Sequence, residues 1–174
     1  MKLYSVSDNY INYLRNFDDK VYDNKETNRK NTRKYLGIVL NINNFNYYIP
    51  LSSPKKTDYY KNTIRKSIIP IIRIISCHES KNTPCLKATL RLSNMIPVPD
   101  SELTLYNPSI EKNKNYKILI EKELEFIKKN SQLIHKYAKI IYNQKTNNHS
   151  VSYLKSVVDF KLLESKCIDY INSH

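Results

Sequence analysis

"YLGIVLNINNFNYYIPL", residues 35–51, consists of two runs of branched and aromatic residues joined by Asn43 and Asn44. That pattern predicts a β-hairpin, because asparagine tolerates the left-handed backbone that two-residue hairpin turns require. Gly37, the only glycine in the chain, falls inside the first strand, where a glycine marks a bulge or a close backbone approach. Pro50 and Pro54 bracket Leu51, Ser52 and Ser53. Proline cannot donate to a sheet ladder, so the second strand is expected to stop around Leu51, with both serines at its mouth.

Upstream of the hairpin, Ser7 is placed to cap a short helix whose apolar residues Tyr10, Ile11, Tyr13, Leu14 and Phe17 follow helical spacing, ending by Asp18 or Asp19. The polar, aperiodic segment 18–34 reads as a loop. Downstream comes a basic loop with Lys55, Lys56, Lys61, Arg65 and Lys66, among which stand Tyr59 and Tyr60. Ile68 to Ile75 is a strand region interrupted by Pro70 and Arg73, and "CLKATLRL", residues 85–92, alternates so that Leu86, Ala88, Leu90 and Leu92 share one buried face. A short extended piece, "NMIPV", follows at residues 94–98. Beyond Asn113 the apolar spacing becomes helical, with a break at Asn130 and Ser131, and Asp159 can cap a last helix that buries Phe160, Leu163, Cys167 and Ile171.

These elements describe an α+β fold: a compact, highly twisted antiparallel sheet or partly open barrel with one N-terminal helix and C-terminal helices that close one side. At 174 residues the expectation is a single domain, 1–174. No apolar stretch approaches the roughly 18 residues that would cross a bilayer, so a cytoplasmic chain without membrane contact is expected.

The net charge of +13, at a pI of about 9.5, favours a polyanionic partner such as nucleic acid. A skew toward Lys, Asn, Ile and Tyr suggests that part of this charge is compositional. Of the 29 basic residues only six are arginine, and arginine is the better phosphate reader because its fork binds two oxygens, so Arg29 and Arg33 carry more weight than single lysines. Cys77, Cys85 and Cys167 are odd in number and unevenly spaced, which points to neither a disulfide framework nor a four-ligand zinc site. Tyrosines interleaved with cations after Lys55 suit single-stranded RNA, and Tyr59, Lys61 and Arg65 are candidate contacts; ordinary loop anchors would look the same.

No glycine-rich phosphate loop, HExxH, GxSxG or paired histidine site is present. The stretch "SSPKK", Ser52 to Lys56, holds two hydroxyls and two ammonium groups. Cleaving RNA through its own 2′-hydroxyl needs positioning, a path for the proton and positive charge at the phosphate, all of which these groups can supply without a metal or cofactor. From these residues alone, a turn that is merely basic is the simpler reading.

The order and spacing of "FDDKV" (17–21), "GIVL" (37–40), "PLSSPKK" (50–56), "NMIPV" (94–98) and "KELEFIKKNSQLI" (122–134) resemble the endoribonuclease toxins of type III toxin–antitoxin systems, the ToxN and AbiQ group. The resemblance implies a fold similar to the MazF and Kid toxins. It also implies metal-independent cutting that leaves a 2′,3′-cyclic phosphate and a 5′-hydroxyl, and a repeated RNA pseudoknot antitoxin that the toxin trims and is silenced by. Toxin and RNA would close into a heteromeric assembly with a role in abortive infection by phage or in plasmid maintenance. By that resemblance Ser53 is the catalytic hydroxyl, Lys55 the lysine that acts on the phosphate, and Ser52 a second hydroxyl that holds it. Arg33 matches a basic position before the first strand; Arg29 stands where the family pattern has a tyrosine. Arg29, Arg33 and Lys56 are expected to bind RNA phosphates. A noncatalytic RNA-binding protein, in which "SSPK" only docks phosphate, is the alternative.

Overall fold

The computed structural model describes residues 1–24, 32–77 and 83–173. Its centre is the expected hairpin, β2 (Tyr35–Ile42) and β3 (Phe45–Ser52), with Asn43 and Asn44 at φ 50° and 65°. Positive φ at both turn positions is the type I′ geometry, whose twist matches that of the flanking strands. The β2–β3 register shifts between Leu36 and Leu40, beside Gly37. A Cβ built on Gly37 would lie 2.0 Å from Cδ1 of the buried Tyr48 ring, so glycine is required by close approach.

β1 (Lys2–Val6) pairs antiparallel with β2, and β9 (Leu103–Leu105) pairs with the other side of β1. On the opposite flank, β3 passes its pairing to β7 (Pro84–Arg91) through Leu51↔Leu90 and Ser52↔Thr89, and β6 (Ile71–Cys77) completes that edge. β8 (Ile96–Pro97) also pairs with β3, at Tyr47 and Tyr48. The path β6-β7-β3-β2-β1-β9 does not close on itself, so the fold is α+β on an open, mostly antiparallel sheet. β1 is not legible in the sequence: within "KLYSV" only Leu3 and Val6 are buried, three apart, and leave no alternation to read.

Among the described residues, four α-helices pack on the sheet. In α1 (Asp8–Arg15) the Ser7 hydroxyl accepts the Tyr10 N–H at 3.1 Å, and Tyr10, Ile11 and Leu14 are buried; Phe17, beyond the helix end, is exposed. α2 (Lys114–Lys129) and α3 (Ser131–Thr146) break at Asn130, as the local competition of Asn and Ser for backbone groups dictates. α4 (Phe160–Ser173) begins after Asp159, whose carboxylate accepts the Leu162 N–H at 3.1 Å. It buries Phe160, Leu163 and Cys167 as expected, but the fourth buried position is Tyr170, not Ile171, which is 54% exposed. Tyr170 fits because its ring packs edge-on against Tyr10 of α1.

One apolar cluster runs from Leu3 to Tyr170 and includes side chains of β1, β2, β3, β6, β7, β8 and all four helices. At its centre the Glu164 carboxylate accepts hydrogen bonds from Tyr47 at 2.9 Å, Tyr142 at 2.6 Å and Lys161 at 2.8 Å, binding α3 and α4 to β3. Glu123 on α2 is buried too, and desolvation pushes its carboxyl from the ordinary 4.5 to about 7. Between those values the unfolded chain releases this proton while the folded chain keeps it, so this group makes stability fall as pH rises from 4.5 to 7. Glu123→Gln is expected to remove that slope and to raise stability at pH 8 by about 3 kcal/mol, measured by denaturant unfolding at both ends of the window.

Candidate active site

The pairing of β3 ends at Ser52↔Thr89, and the chain leaves the sheet at Ser53. Ser52, expected as a second hydroxyl on the phosphate, is instead buried as the last residue of β3, its carbonyl accepting from the Thr89 hydroxyl at 3.4 Å, whereas Ser53, Lys55 and Lys56 are exposed. Pro50 lies inside β3, paired with Tyr35, so only Pro54 falls past the strand end, and the succession is strand, then hydroxyl, then ammonium. Ser53 and Lys55 are thus both exposed to solvent, just past the end of an interior strand of the sheet.

A single acid holds the loop. Asp58, the one acidic residue between Ser52 and Lys66, is 1% exposed. Its Oδ2 accepts the Lys55 N–H at 2.9 Å, and its own N–H donates to the Lys55 carbonyl at 2.9 Å, so the backbone of Lys55 is fixed at both ends. Two buried arginines hold the carboxylate in turn: Arg73 Nη2 lies 3.0 Å from Oδ1 and Arg91 Nη2 lies 3.0 Å from Oδ2. Arg73 also donates to the Lys66 carbonyl at 2.7 Å, and its N–H donates to the Ser67 hydroxyl at 2.8 Å. The residues from Lys55 to Ser67 are therefore pinned to β6 and β7. Two guanidinium groups against one carboxylate leave a net positive charge in this buried cluster.

Arg33 braces the other end. The sequence suggests a phosphate contact there, but Arg33 is 0% exposed: its Nε donates to the Asp23 carbonyl at 3.0 Å and its Nη1 to the Leu51 carbonyl at 2.9 Å. Its guanidinium faces the backbone just ahead of Ser52 and Ser53, which makes it a support of the loop and not an exposed phosphate clamp. The same guanidinium lies 4.6 Å from the Tyr22 ring centre, and the Lys55 ammonium lies 5.5 Å from that ring. Tyr22 thus stands between the brace and the catalytic candidate, in cation–π contact with both. It also lines a cleft of about 750 Å³ with Arg15, Lys20, Ile71, Arg91 and Asn94.

The other expected RNA contacts, Lys56, Tyr59, Lys61 and Arg65, are all exposed and follow directly after the loop. Residues 56–58 form one helical turn, and β4 (Tyr59–Tyr60) and β5 (Thr63–Ile64) form a small hairpin where the sequence reads as irregular loop. Arg29 lies outside the described residues. Among the described residues no group of three His, Cys, Asp or Glu side chains is placed to hold a metal ion, and no helix is long and apolar enough to cross a membrane. His135 is exposed on α3, with Nδ1 2.8 Å from the Val39 carbonyl.

Sequence reasoning missed Tyr22, Asp58, Arg73 and Arg91. Two of them carried a signal. Arg73 interrupts "IIRII", and a charge inside an apolar strand must be paired when buried; Asp58 is the one acid in the basic segment that could pair it. Arg91 gave none, because the alternation of "CLKATLRL" assigns it to the solvent face. Both faces of β7 are covered at that end, and Thr89 and Arg91 are buried along with Leu90.

The sequence model of the family described as "Toxin ToxN, type III toxin-antitoxin system" matches residues 2–167. The chain is 36% identical over 170 residues to endoribonuclease AbiQ of Lactococcus lactis subsp. lactis, covering 98% of this chain and 89% of that protein. Among solved structures, one reported under "A processed non-coding RNA regulates a bacterial antiviral system" is similar with a TM-score of 0.82 and 31% identity, over 97% of this chain and 98% of the other. Another, a type III toxin reported to show "selective toxin inhibition by a non-coding RNA pseudoknot", is similar with a TM-score of 0.77 and 25% identity, over 98% and 97%.

Proposed function

The chain belongs to the ToxN family of type III toxin–antitoxin toxins and is an endoribonuclease, and on that premise we propose that it cuts RNA at the loop Ser52–Lys55 by internal attack of the substrate's 2′-hydroxyl. Ser53 orients the 2′-hydroxyl and passes its proton to solvent as the oxygen attacks phosphorus. The bond from phosphorus to the 5′-oxygen breaks, and the Lys55 ammonium offsets the charge on the phosphate and gives a proton to the departing oxygen. The products are a 2′,3′-cyclic phosphate and a 5′-hydroxyl. Ser52 holds the strand end from which Ser53 projects, Arg33 and Asp58 fix the loop's two ends, and Lys56 contacts a neighbouring phosphate.

What supports this reading is one observation: the two groups the chemistry needs are exposed on a loop whose backbone is tied down at Leu51 by Arg33 and at Lys55 by Asp58. Preorganisation of that kind lets a hydroxyl and an ammonium act without reorganising at the moment of reaction. The noncatalytic alternative, phosphate docking alone, predicts binding without new RNA ends.

The same premise gives the partners. We propose that a repeated RNA pseudoknot is the antitoxin, that the enzyme trims it from a precursor and is then held silent in a closed assembly of toxin and RNA, and that messenger RNAs are the other substrates. Residues 1–174 act as one domain in the cytoplasm, in phage defence by abortive infection or in plasmid maintenance. The test is to incubate purified protein with RNA in excess chelator and to read the ends: cyclic phosphate and 5′-hydroxyl are expected. Intact RNA that nonetheless stays bound would establish the docking alternative.

A further inference from the structure

β4 and β5 form a ribbon of two residues each, joined by Lys61 and Asn62 at φ 44° and 63°. It buries almost nothing: Tyr59, Tyr60 and Thr63 are exposed and Ile64 is half-buried. An isolated two-stranded ribbon is marginal in water, yet this one is anchored at its base to Asp58 and closed across its own strands by Arg65. The Arg65 N–H donates to the Asp58 carbonyl at 2.9 Å, and Arg65 Nε donates to the Tyr59 carbonyl at 3.3 Å. Asp58 is also the residue that fixes Lys55, so the ribbon keeps a set place relative to the catalytic loop.

What the ribbon presents is an aromatic ring between cations. Tyr60 is 59% exposed, with the Lys61 ammonium 5.6 Å and the Arg65 guanidinium 5.4 Å from its ring centre. A large exposed aromatic contributes little to stability, and this one is not part of the core. A ring flanked by positive charge is complementary to one partner in particular, an unpaired base with phosphates on either side, since stacking needs a free π-face and the cations need anions. Base-paired RNA offers neither face, because its bases are stacked within the helix.

We propose that the β4–β5 ribbon is a platform on which Tyr60 stacks an unpaired base next to the cut, with Lys61 and Arg65 on the flanking phosphates. This rests on the reading that the Ser53–Lys55 loop cuts RNA. The platform selects single-stranded segments and grips the strand equally before and during cutting, so it adds affinity beside the loop and not alignment of the reacting atoms.

The experiment uses the full chain and two probes: a single-stranded 2′-O-methyl RNA, which cannot be cut, and the same strand annealed to its complement. Tyr60→Ala should weaken binding of the single strand by about tenfold to a hundredfold. Tyr60→Phe should stay within about twofold of the parent, since the ring face is kept. Lys61→Ala should lower the slope of binding against salt by about one. Duplex binding should not respond to Tyr60→Ala, and on cleavable RNA that variant should raise KM with kcat unchanged, because Tyr60 touches no reacting atom. Single-strand binding by Tyr60→Ala within twofold of the parent would overturn the platform, as would an equal loss with duplex, or a fall in kcat at unchanged KM. Undiminished cutting by Ser53→Ala would instead overturn the catalytic reading, and the binding of the uncuttable strand would still report on the platform.

Discussion

Replacing Lys55 by alanine is expected to slow RNA cleavage at saturating substrate by about a hundredfold to a thousandfold, the cost of removing one preorganised charge from a developing anion. The side chain is exposed, so the fold should be unaffected and its melting temperature unchanged. Ser53→Ala should lose activity to a similar extent for a different reason, since the hydroxyl that orients the attacking oxygen is gone. Lys56→Ala is the control. Its side chain is as exposed and as basic, but Asp58 fixes the backbone of Lys55, so losing Lys56 should cost less than about tenfold and mainly in KM. Equal losses at Lys55 and Lys56 would mean that the loop contributes general positive charge and not one positioned ammonium.

Asp58→Ala is the second large effect, and it falls on stability first. The substitution strips the carboxylate from two arginines whose side chains are 4% and 8% exposed, leaving two buried charges with no counter-ion. Breaking such a site costs about 3–5 kcal/mol, which for a chain of this length lowers the melting temperature by on the order of 10 °C. The decisive comparison is the triple variant Asp58→Leu, Arg73→Met and Arg91→Met. Replacing a whole buried ionic cluster with apolar groups is often neutral, so it should recover most of the lost stability. It should not recover cleavage, because the Lys55 N–H would still lack its acceptor. A triple variant that cut RNA like the parent would show that Asp58 serves folding alone.

The parts of the fold that could be read from the sequence are those whose cause is local. Asn43 and Asn44 specify their own turn, Gly37 its close contact with Tyr48, Ser7 and Asp159 their caps, and Asn130 the break between α2 and α3. The hydroxyls and lysines of the loop were visible in the same way, because Pro54 marks where the strand must end, although Pro50 stays within β3. What supports the loop was not visible. Asp58 meets arginines 15 and 33 residues away, and Arg33 reaches a carbonyl 18 residues on, contacts that no periodicity encodes. Arg33 shows the consequence: as a residue type it reads as a phosphate ligand, and only its burial reveals a brace. Ile171 and Tyr170 differ by one position on α4, and the choice between them rests on the ring of Tyr10.

The proposal that the substrate's own ribose supplies the nucleophile is tested most directly by one RNA containing a single 2′-deoxyribonucleotide on the 5′ side of the mapped cut. The purified enzyme should bind this strand as it binds the all-ribose parent and leave that linkage intact, while cutting the parent to a cyclic phosphate. Cleavage at the deoxy position would mean that another nucleophile breaks the chain, and the roles given to Ser53 and Lys55 would not stand.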